Sequence, residues 1–267
     1  MRGENMKFHT AASGRAMALA GGFSEATQSG TSIFDPVLCE LAYSWFCPLG
    51  GQVVDPFAGG SVRGIVAAKL GRKYWGADLR QEQIDANEAQ RRIICSDVSI
   101  RWVCGDAIDC LSDAPPADLI FTCPPYGDLE RYSEDNRDLS TKDYPAFLAC
   151  LTAIIGKCAT ILIENRFACV VVGDFRDRKT GAYRGFVADT IALFRKVGLP
   201  LYNDAVLVTC AGSLPLRVGK QFQASRKLGK THQNVLVFVK GNPIVATRAC
   251  GAIEVPTDDE LGKVDAG

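Results

Sequence analysis

Short apolar runs of strand length alternate along this chain with longer segments in which apolar residues recur at helical spacing. The first clear run, Val53-Val54-Asp55, closes on Pro56-Phe57-Ala58-Gly59-Gly60-Ser61, and a helical pattern follows over residues 62–70. Residues 73–78 form a second short strand ending in an acid, ahead of a helical run over 81–94. Further strands read at 101–107, 117–122, 168–174, 205–209 and 234–240, with helical patterning over 144–157 and 184–197. This alternation predicts an α/β fold: a seven-stranded, mostly parallel sheet with helices on both faces. The connection 211–234 reads as hairpin-like and free of helix, which makes the last strand antiparallel.

Residues 1–30 are rich in Gly, Ser, Ala and Thr with weak periodicity, and read as a flexible N-terminal arm. The main domain is expected over 31–241, with 242–267 as a surface tail. At the start of that domain Asp35 is placed to cap a helix, with Pro36 at its first position. Val37, Leu41 and Phe46 give this helix an inward stripe, and Pro48-Leu49-Gly50-Gly51 ends it.

At 267 residues and 47% hydrophobic content, the chain can fill a sizeable core as one large α/β domain or two small ones. Lys+Arg and Asp+Glu both number 30, so no global field draws it to nucleic acid. Local charge differs. From Ala205 to Ile253 there is no Asp or Glu, while Arg217, Lys220, Arg226, Lys227, Lys230, Lys240 and Arg248 are present. A one-sign segment of this kind is a candidate surface for an anionic partner.

The 11 cysteines are odd in number and lack any C-x-x-C pair, which argues against a disulfide framework or a zinc ribbon. No metal is expected. Cys158, Cys169 and Cys210 sit in apolar runs and read as small core residues. No apolar run approaches about 20 residues and no signal-peptide core is present, so the expected location is a reducing cytoplasm.

Candidate chemistry gathers at the strand ends. Gly59 and Gly60 let backbone N–H groups approach a ligand where a side chain would block it. Asp78, at a strand tip, is placed to accept ribose hydroxyls or to cap the helix that follows. Gly105-Asp106 taken alone is a generic turn. Phe121-Thr122-Cys123-Pro124-Pro125-Tyr126 ends its strand in a rigid step. Proline fixes φ and restricts its predecessor, so the carbonyls of Cys123 and Pro124 are aimed. The polar stretch 127–142 is a long loop of the kind that forms lids or binding loops. A nicotinamide dehydrogenase is disfavoured, because the turn lacks the Gly-x-Gly-x-x-Gly spacing.

Asp-Pro-Phe-Ala-Gly-Gly followed by Cys-Pro-Pro-Tyr resembles the S-adenosylmethionine-dependent DNA amino-methyltransferases, which make N4-methylcytosine or N6-methyladenine. The resemblance covers roughly residues 30–241 and implies a Rossmann-like methyltransferase fold. It places the cofactor, released as S-adenosylhomocysteine, on Phe34, Asp35, Pro36, Asp55, Phe57, Ala58, Gly59, Gly60, Ser61, Asp78, Asp106 and Ala107. It assigns catalysis to Cys123, Pro124, Pro125 and Tyr126. The donor carries its own activation, so the protein supplies position and electrostatics. An exocyclic N–H bonded to the Pro124 carbonyl favours the pyramidal, nucleophilic amine. Tyr126 would stack on a flipped base, offsetting by about 1–3 kcal/mol the few kcal/mol that extrusion costs.

Cys123 departs from the resembled pattern, which carries Ser in cytosine-N4 enzymes and Asp or Asn in adenine-N6 enzymes. Cys is closest to Ser, and Thr122 fits the Thr-Ser-Pro-Pro-Tyr form, so cytosine N4 is favoured. Val-Val-Gly-Asp-Phe-Arg-Asp at 171–177 looks more like enzymes usually written in the opposite motif order, so order alone leaves the target base open. Double-stranded DNA is the expected partner, met by Arg217, Lys220, Arg226, Lys227 and Lys230 with Phe222 among them. Five phosphate contacts would give a log–log salt slope near −4 to −5, at about −0.9 each. The insert is short for a separate target-recognition domain, which leaves modest specificity, a homodimer or another partner as alternatives. A restriction-modification context is equally open. The rival readings are an RNA-base or protein-glutamine N-methyltransferase, and a catalytically idle cofactor-binding protein that binds DNA.

Overall fold

The computed structural model describes residues 33–95, 99–127, 132–209 and 214–253; the expected arm at 1–30 lies outside them. Seven strands run β1 (Gln52–Asp55), β2 (Lys73–Asp78), β3 (Ile100–Cys104), β4 (Ala117–Thr122), β5 (Leu162–Val172), β6 (Leu201–Val208) and β7 (His232–Lys240). They form one sheet in the order β3-β2-β1-β4-β5-β7-β6. All neighbours are parallel except β7, which is antiparallel to both β5 and β6. The expected seven-stranded, mostly parallel α/β sheet is therefore what the chain adopts.

The helices are α1 (Pro36–Phe46), α2 (Val62–Lys69), α3 (Gln81–Ile94), α4 (Ala107–Cys110), α5 (Tyr144–Ile161), α6 (Phe186–Lys196), α7 (Leu214–Ser225) and α8 (Pro243–Cys250). They leave two apolar cores, one on each face of the sheet. Val54, Ile120, Leu151, Phe194 and Phe238 share one; Val53, Leu119, Phe121, Tyr43 and Phe167 share the other. Neighbouring residues of one strand enter opposite cores because side chains alternate across the pleat. With both faces covered, central parallel strands become continuous apolar runs, the pattern that marked them in the sequence. Helix α5 is long and apolar enough to cross a membrane by length and composition. Its Phe147, Leu151, Ile154, Ile155 and Cys158 are buried in the first core, the place of a packing helix.

Three expectations are corrected. In α1 the inward face is Cys39, Ala42 and Tyr43, with Phe46 edge-on to Phe167 at 5.3 Å. Val37 and Leu41 point outward, 59% and 37% exposed. Both sets have helical spacing; Tyr43 decides between them, packing edge-on to Phe121 at 5.1 Å and donating to the Arg63 carbonyl of α2 at 3.0 Å. The basic connection contains a helix, α7, where a plain hairpin was expected. The supposed tail begins with α8, capped by Asn242 through Ile244 N and Val245 N, with Ala246 fully buried. Asn242 N donates to Asn165 Oδ1 at 2.7 Å, which ties this helix to the start of β5. Residues 254–267 lie outside the described residues.

Strand order places the site. The chain steps from β1 through β2 to β3 at one edge, then returns to lay β4 on the other side of β1. In open α/β sheets, ligands bind at the carboxyl ends of strands where the order reverses. Here that point is the gap between β1 and β4.

Candidate active site

Asp55, the last residue of β1, has no exposed surface and gathers four donors. Phe57 N (3.1 Å) and Thr122 Oγ1 (2.7 Å) reach Oδ1, while Arg63 Nε (2.7 Å) and Tyr74 OH (2.8 Å) reach Oδ2. Burial works against the Arg63 charge, but the Asp55 carboxylate beside it holds the guanidinium above its ordinary range. Arg63 also donates to the carbonyls of Phe57 and Ala58, the latter at 2.9 Å. Burial and the same carboxylate push the Tyr74 phenol up, so it stays a donor. The glycine turn is thus fastened from below by a buried ion pair.

The upper side of the turn meets β2. Gly59, with φ of 52°, donates its N–H to Asp78 Oδ2 at 3.1 Å, and its carbonyl accepts from Asn87 Nδ2 at 2.7 Å. Ser61 Oγ bonds Gln90 of α3. Gly60 is exposed, and a Cβ there would meet nothing within 4 Å. At Gly76 a Cβ would come within 2.8 Å of Ala58 Cβ, so only glycine lets β2 lie this close to the turn. Burial pushes the Asp78 carboxyl up, opposed by bonds from Arg80 N and Gly59 N. Each carboxylate oxygen still has lone-pair capacity for a hydroxyl.

The remaining cofactor candidates line the same edge. Gly105 N donates to the Asp78 carbonyl at 2.9 Å, joining the ends of β3 and β2. Asp106 caps α4 through Ile108 N, and Ala107 is buried beside it. Phe34 lies under the Arg63 guanidinium at 4.7 Å and edge-on to Phe121 at 5.7 Å. Asp35 caps α1 through Val37 N at 2.8 Å, with Pro36 in the first turn. The structure therefore brings together residues from four separate stretches around the glycine turn.

The Cys-Pro-Pro-Tyr end stands directly beside it. Val53 and Val54 pair with Leu119 and Ile120, so the two tips are neighbours in register. Pro124 is buried, and with Pro56 and Phe57 it reaches down to a small void of the first core, lined also by Leu151, Ile155 and Phe194. Pro125 and Cys123 are half-buried. The ring of Tyr126 stacks against Phe175 at 6.4 Å and meets the edge of Phe186 at 6.0 Å. Gln233 Nε2 donates to Tyr126 OH at 2.5 Å, and Cys123 Sγ stands 3.9 Å from the same oxygen. Burial, with Cys123 adding to it, pushes the Tyr126 phenol up, so it is neutral. Residues 128–131 of the long loop lie outside the described residues.

Sequence reasoning missed Arg63, Tyr74, Asn87, Gln90, Phe175 and Gln233. They come from α2, β2, α3, β7 and the loop after β5, and none carries a local motif. Of the expected DNA contacts, Lys220 and Lys227 line a cleft with Arg176, and Lys230 is half-buried. Arg226 lies over the Phe222 ring at 5.1 Å. The Arg217 side chain lies outside the described residues. Among the described residues no group of three or more His, Cys, Asp or Glu could hold a metal ion.

No protein-family model matches the chain, and no curated protein matches it in sequence. Among solved structures, TrmN from Thermus thermophilus is similar over 80% of this chain and 51% of its own, at 17% identity and TM-score 0.52. The chain thus spans about half the length of TrmN. Precorrin-6y C5,15-methyltransferase from Geobacter metallireducens is similar over 82% of this chain and 94% of its own, at 12% identity and TM-score 0.51. Precorrin 8w decarboxylase from Methanobacterium thermoautotrophicum is similar over 78% and 92%, at 12% identity and TM-score 0.52. At these identities the likeness is one of fold, and that fold is the Rossmann-like one of methyltransferases.

Proposed function

We propose that the protein is an S-adenosylmethionine-dependent DNA methyltransferase acting on the exocyclic amino group of a flipped base, cytosine N4 favoured over adenine N6. The observation that carries this reading is the meeting of the two strand tips, linked by Thr122 Oγ1 to Asp55 Oδ1 at 2.7 Å. Two ligands seated at these tips would touch, as an in-line displacement requires. When bound, S-adenosylmethionine supplies an activated methyl group. The fit on the protein side is specific: an open backbone at Gly60 and unspent acceptor capacity on Asp78 for ribose hydroxyls. Phe34, under the Arg63 guanidinium, and Asp106 with Ala107, just after β3, would complete the cofactor site on either side of the turn.

The base side is built for rigidity. Consecutive prolines aim the Cys123 and Pro124 carbonyls, so an amine can donate to a fixed acceptor. Tyr126, held by Gln233 and Phe175, offers an aromatic surface to an extruded ring. The setting is expected to be cytoplasmic, with double-stranded DNA as partner.

Mass spectrometry of nucleosides from DNA of cells expressing the protein tests this directly. N4-methylcytosine is the expected product; N6-methyladenine would move the target base, and neither would sink the DNA reading. Methylation of an RNA base or a protein glutamine amide would use the same Pro-Pro-aromatic geometry. Methyl transfer measured side by side on duplex DNA, RNA and protein separates these.

A further inference from the structure

We infer that the hairpin between β5 and α6, together with α7, forms a cationic cleft that holds phosphates of the DNA strand flanking the extruded base. This rests on the DNA reading above and adds a binding wall to it. The hairpin is closed by its own backbone bonds: Arg176 and Tyr183 bridge across it, Asp177 N donates to Ala182 O at 2.9 Å, and Arg184 N donates to Phe175 O at 3.0 Å. Arg176 stacks over Tyr183 at 3.9 Å and donates to Gly181 O at 3.0 Å.

Both acids of the hairpin are engaged internally. Asp174 accepts from Phe186 N at 2.7 Å. Asp177 accepts from Lys179 N and Thr180 N and pairs with Arg184 at 2.8 Å. The second wall comes from α7 and the residues after it. Lys220, Gln221 and Lys227 line the cleft together with Arg176, and among the described residues no acid lines it. Lys227 lies over the hairpin closely enough that a Cβ on Gly181 would stand 2.9 Å from its Nζ. Cations gathered from two elements without acids repel one another unless an anion joins them.

The position of the cleft identifies the anion. Arg176 directly follows Phe175, whose ring stacks on Tyr126, so this wall springs from the floor of the proposed base pocket. A strand that delivers a base to Tyr126 would bring its neighbouring phosphates close to this hairpin, since Arg176 is the next residue after Phe175. Phosphate contacts position a strand without reading its sequence, which suits a chain lacking a large recognition domain.

The test is the salt dependence of binding of the full chain to a fluorescein-labelled DNA duplex, read by anisotropy. Arg176→Gln on one wall and Lys220→Gln on the other should each lower the log–log slope by about 1, and the double variant by about 2. Arg248→Gln on α8, a helix that begins beside Asn165 at the far end of β5, should leave the slope unchanged. Cofactor affinity measured by calorimetry should match wild type in all four variants, which excludes misfolding. An unchanged slope in Lys220→Gln, an exposed helix position, overturns the cleft even if Arg176→Gln proves unstable. If wild type still methylates DNA in that case, only the cleft fails. If wild type binds no duplex and methylates RNA or protein instead, the DNA reading fails and takes the cleft with it.

Discussion

Thr122 Oγ1 donates to Asp55 Oδ1 at 2.7 Å, joining two residues 67 positions apart at the ends of neighbouring parallel strands. The bond is wholly buried, and its acceptor is one half of the Arg63–Asp55 ion pair. It therefore couples the registration of the Cys-Pro-Pro-Tyr step to that of the glycine turn. Thr122→Val should cost about 1.5–3 kcal/mol, the range for a hydrogen bond to a charged group. Arg63→Met should cost about 3–5 kcal/mol, because it leaves a buried carboxylate without its counter-charge. Urea unfolding of the three proteins measures both. Equal stability of Arg63→Met and wild type would contradict the ion pair's role.

Asp78 carries a pH signature. Burial raises its carboxyl above the ordinary carboxylate range in the free protein. A proton bound there favours the folded state, and that contribution is lost as pH rises through the raised value. Ribose hydroxyls need the ionised form as acceptor, so cofactor affinity should run the other way, falling as pH drops through the same value. Asp78→Asn should bind S-adenosylmethionine more weakly near neutral pH, with a flat profile on the acid side. Calorimetry across mildly acidic pH distinguishes this from general acid unfolding.

Gln233 of β7 donates to the Tyr126 hydroxyl at 2.5 Å and so fixes the ring from a strand outside the glycine turn. Gln233→Ala should lower kcat by up to about tenfold, the equivalent of about 1.4 kcal/mol, while cofactor affinity stays at wild type. Tyr126→Phe removes the same bond from the other side. In a double-mutant cycle the two losses should be less than additive. Strict additivity in steady-state kinetics would mean that Gln233 acts elsewhere.

Cys123 Sγ stands 3.9 Å from Tyr126 OH, a weak contact. Thiols are poor hydrogen-bonding groups. Cys123→Ser should keep or raise turnover, since the backbone carbonyl at this position is preserved. A folded, cofactor-binding Ser variant without activity would show that the thiol has a role of its own.

Much of the fold was legible in the chain because buried parallel strands and helices leave different periodicities. All seven strands were readable, with bounds displaced at the polar starts of two of them: β5 begins at Leu162 and β6 at Leu201. The glycine turn, Asp78 and the Cys-Pro-Pro-Tyr step were legible for another reason. Special backbone conformations demand Gly and Pro wherever they occur, so they mark themselves locally. The inner face of α1 was not, because Val37 and Leu41 have the same spacing as Cys39 and Tyr43. Only the contacts of Tyr43 with Phe121 and α2 chose between them.

What tertiary structure alone decided is which side chains meet across the β1–β4 gap. Arg63 beneath Asp55, Gln233 on Tyr126 and Phe175 behind it come from a helix, a late strand and a hairpin with no shared motif. The sequence determined the local shapes, since each follows from the preferences of a few adjacent residues. The site depends on contacts between residues distant along the chain, and those follow only from how the sheet orders its strands and closes its two cores.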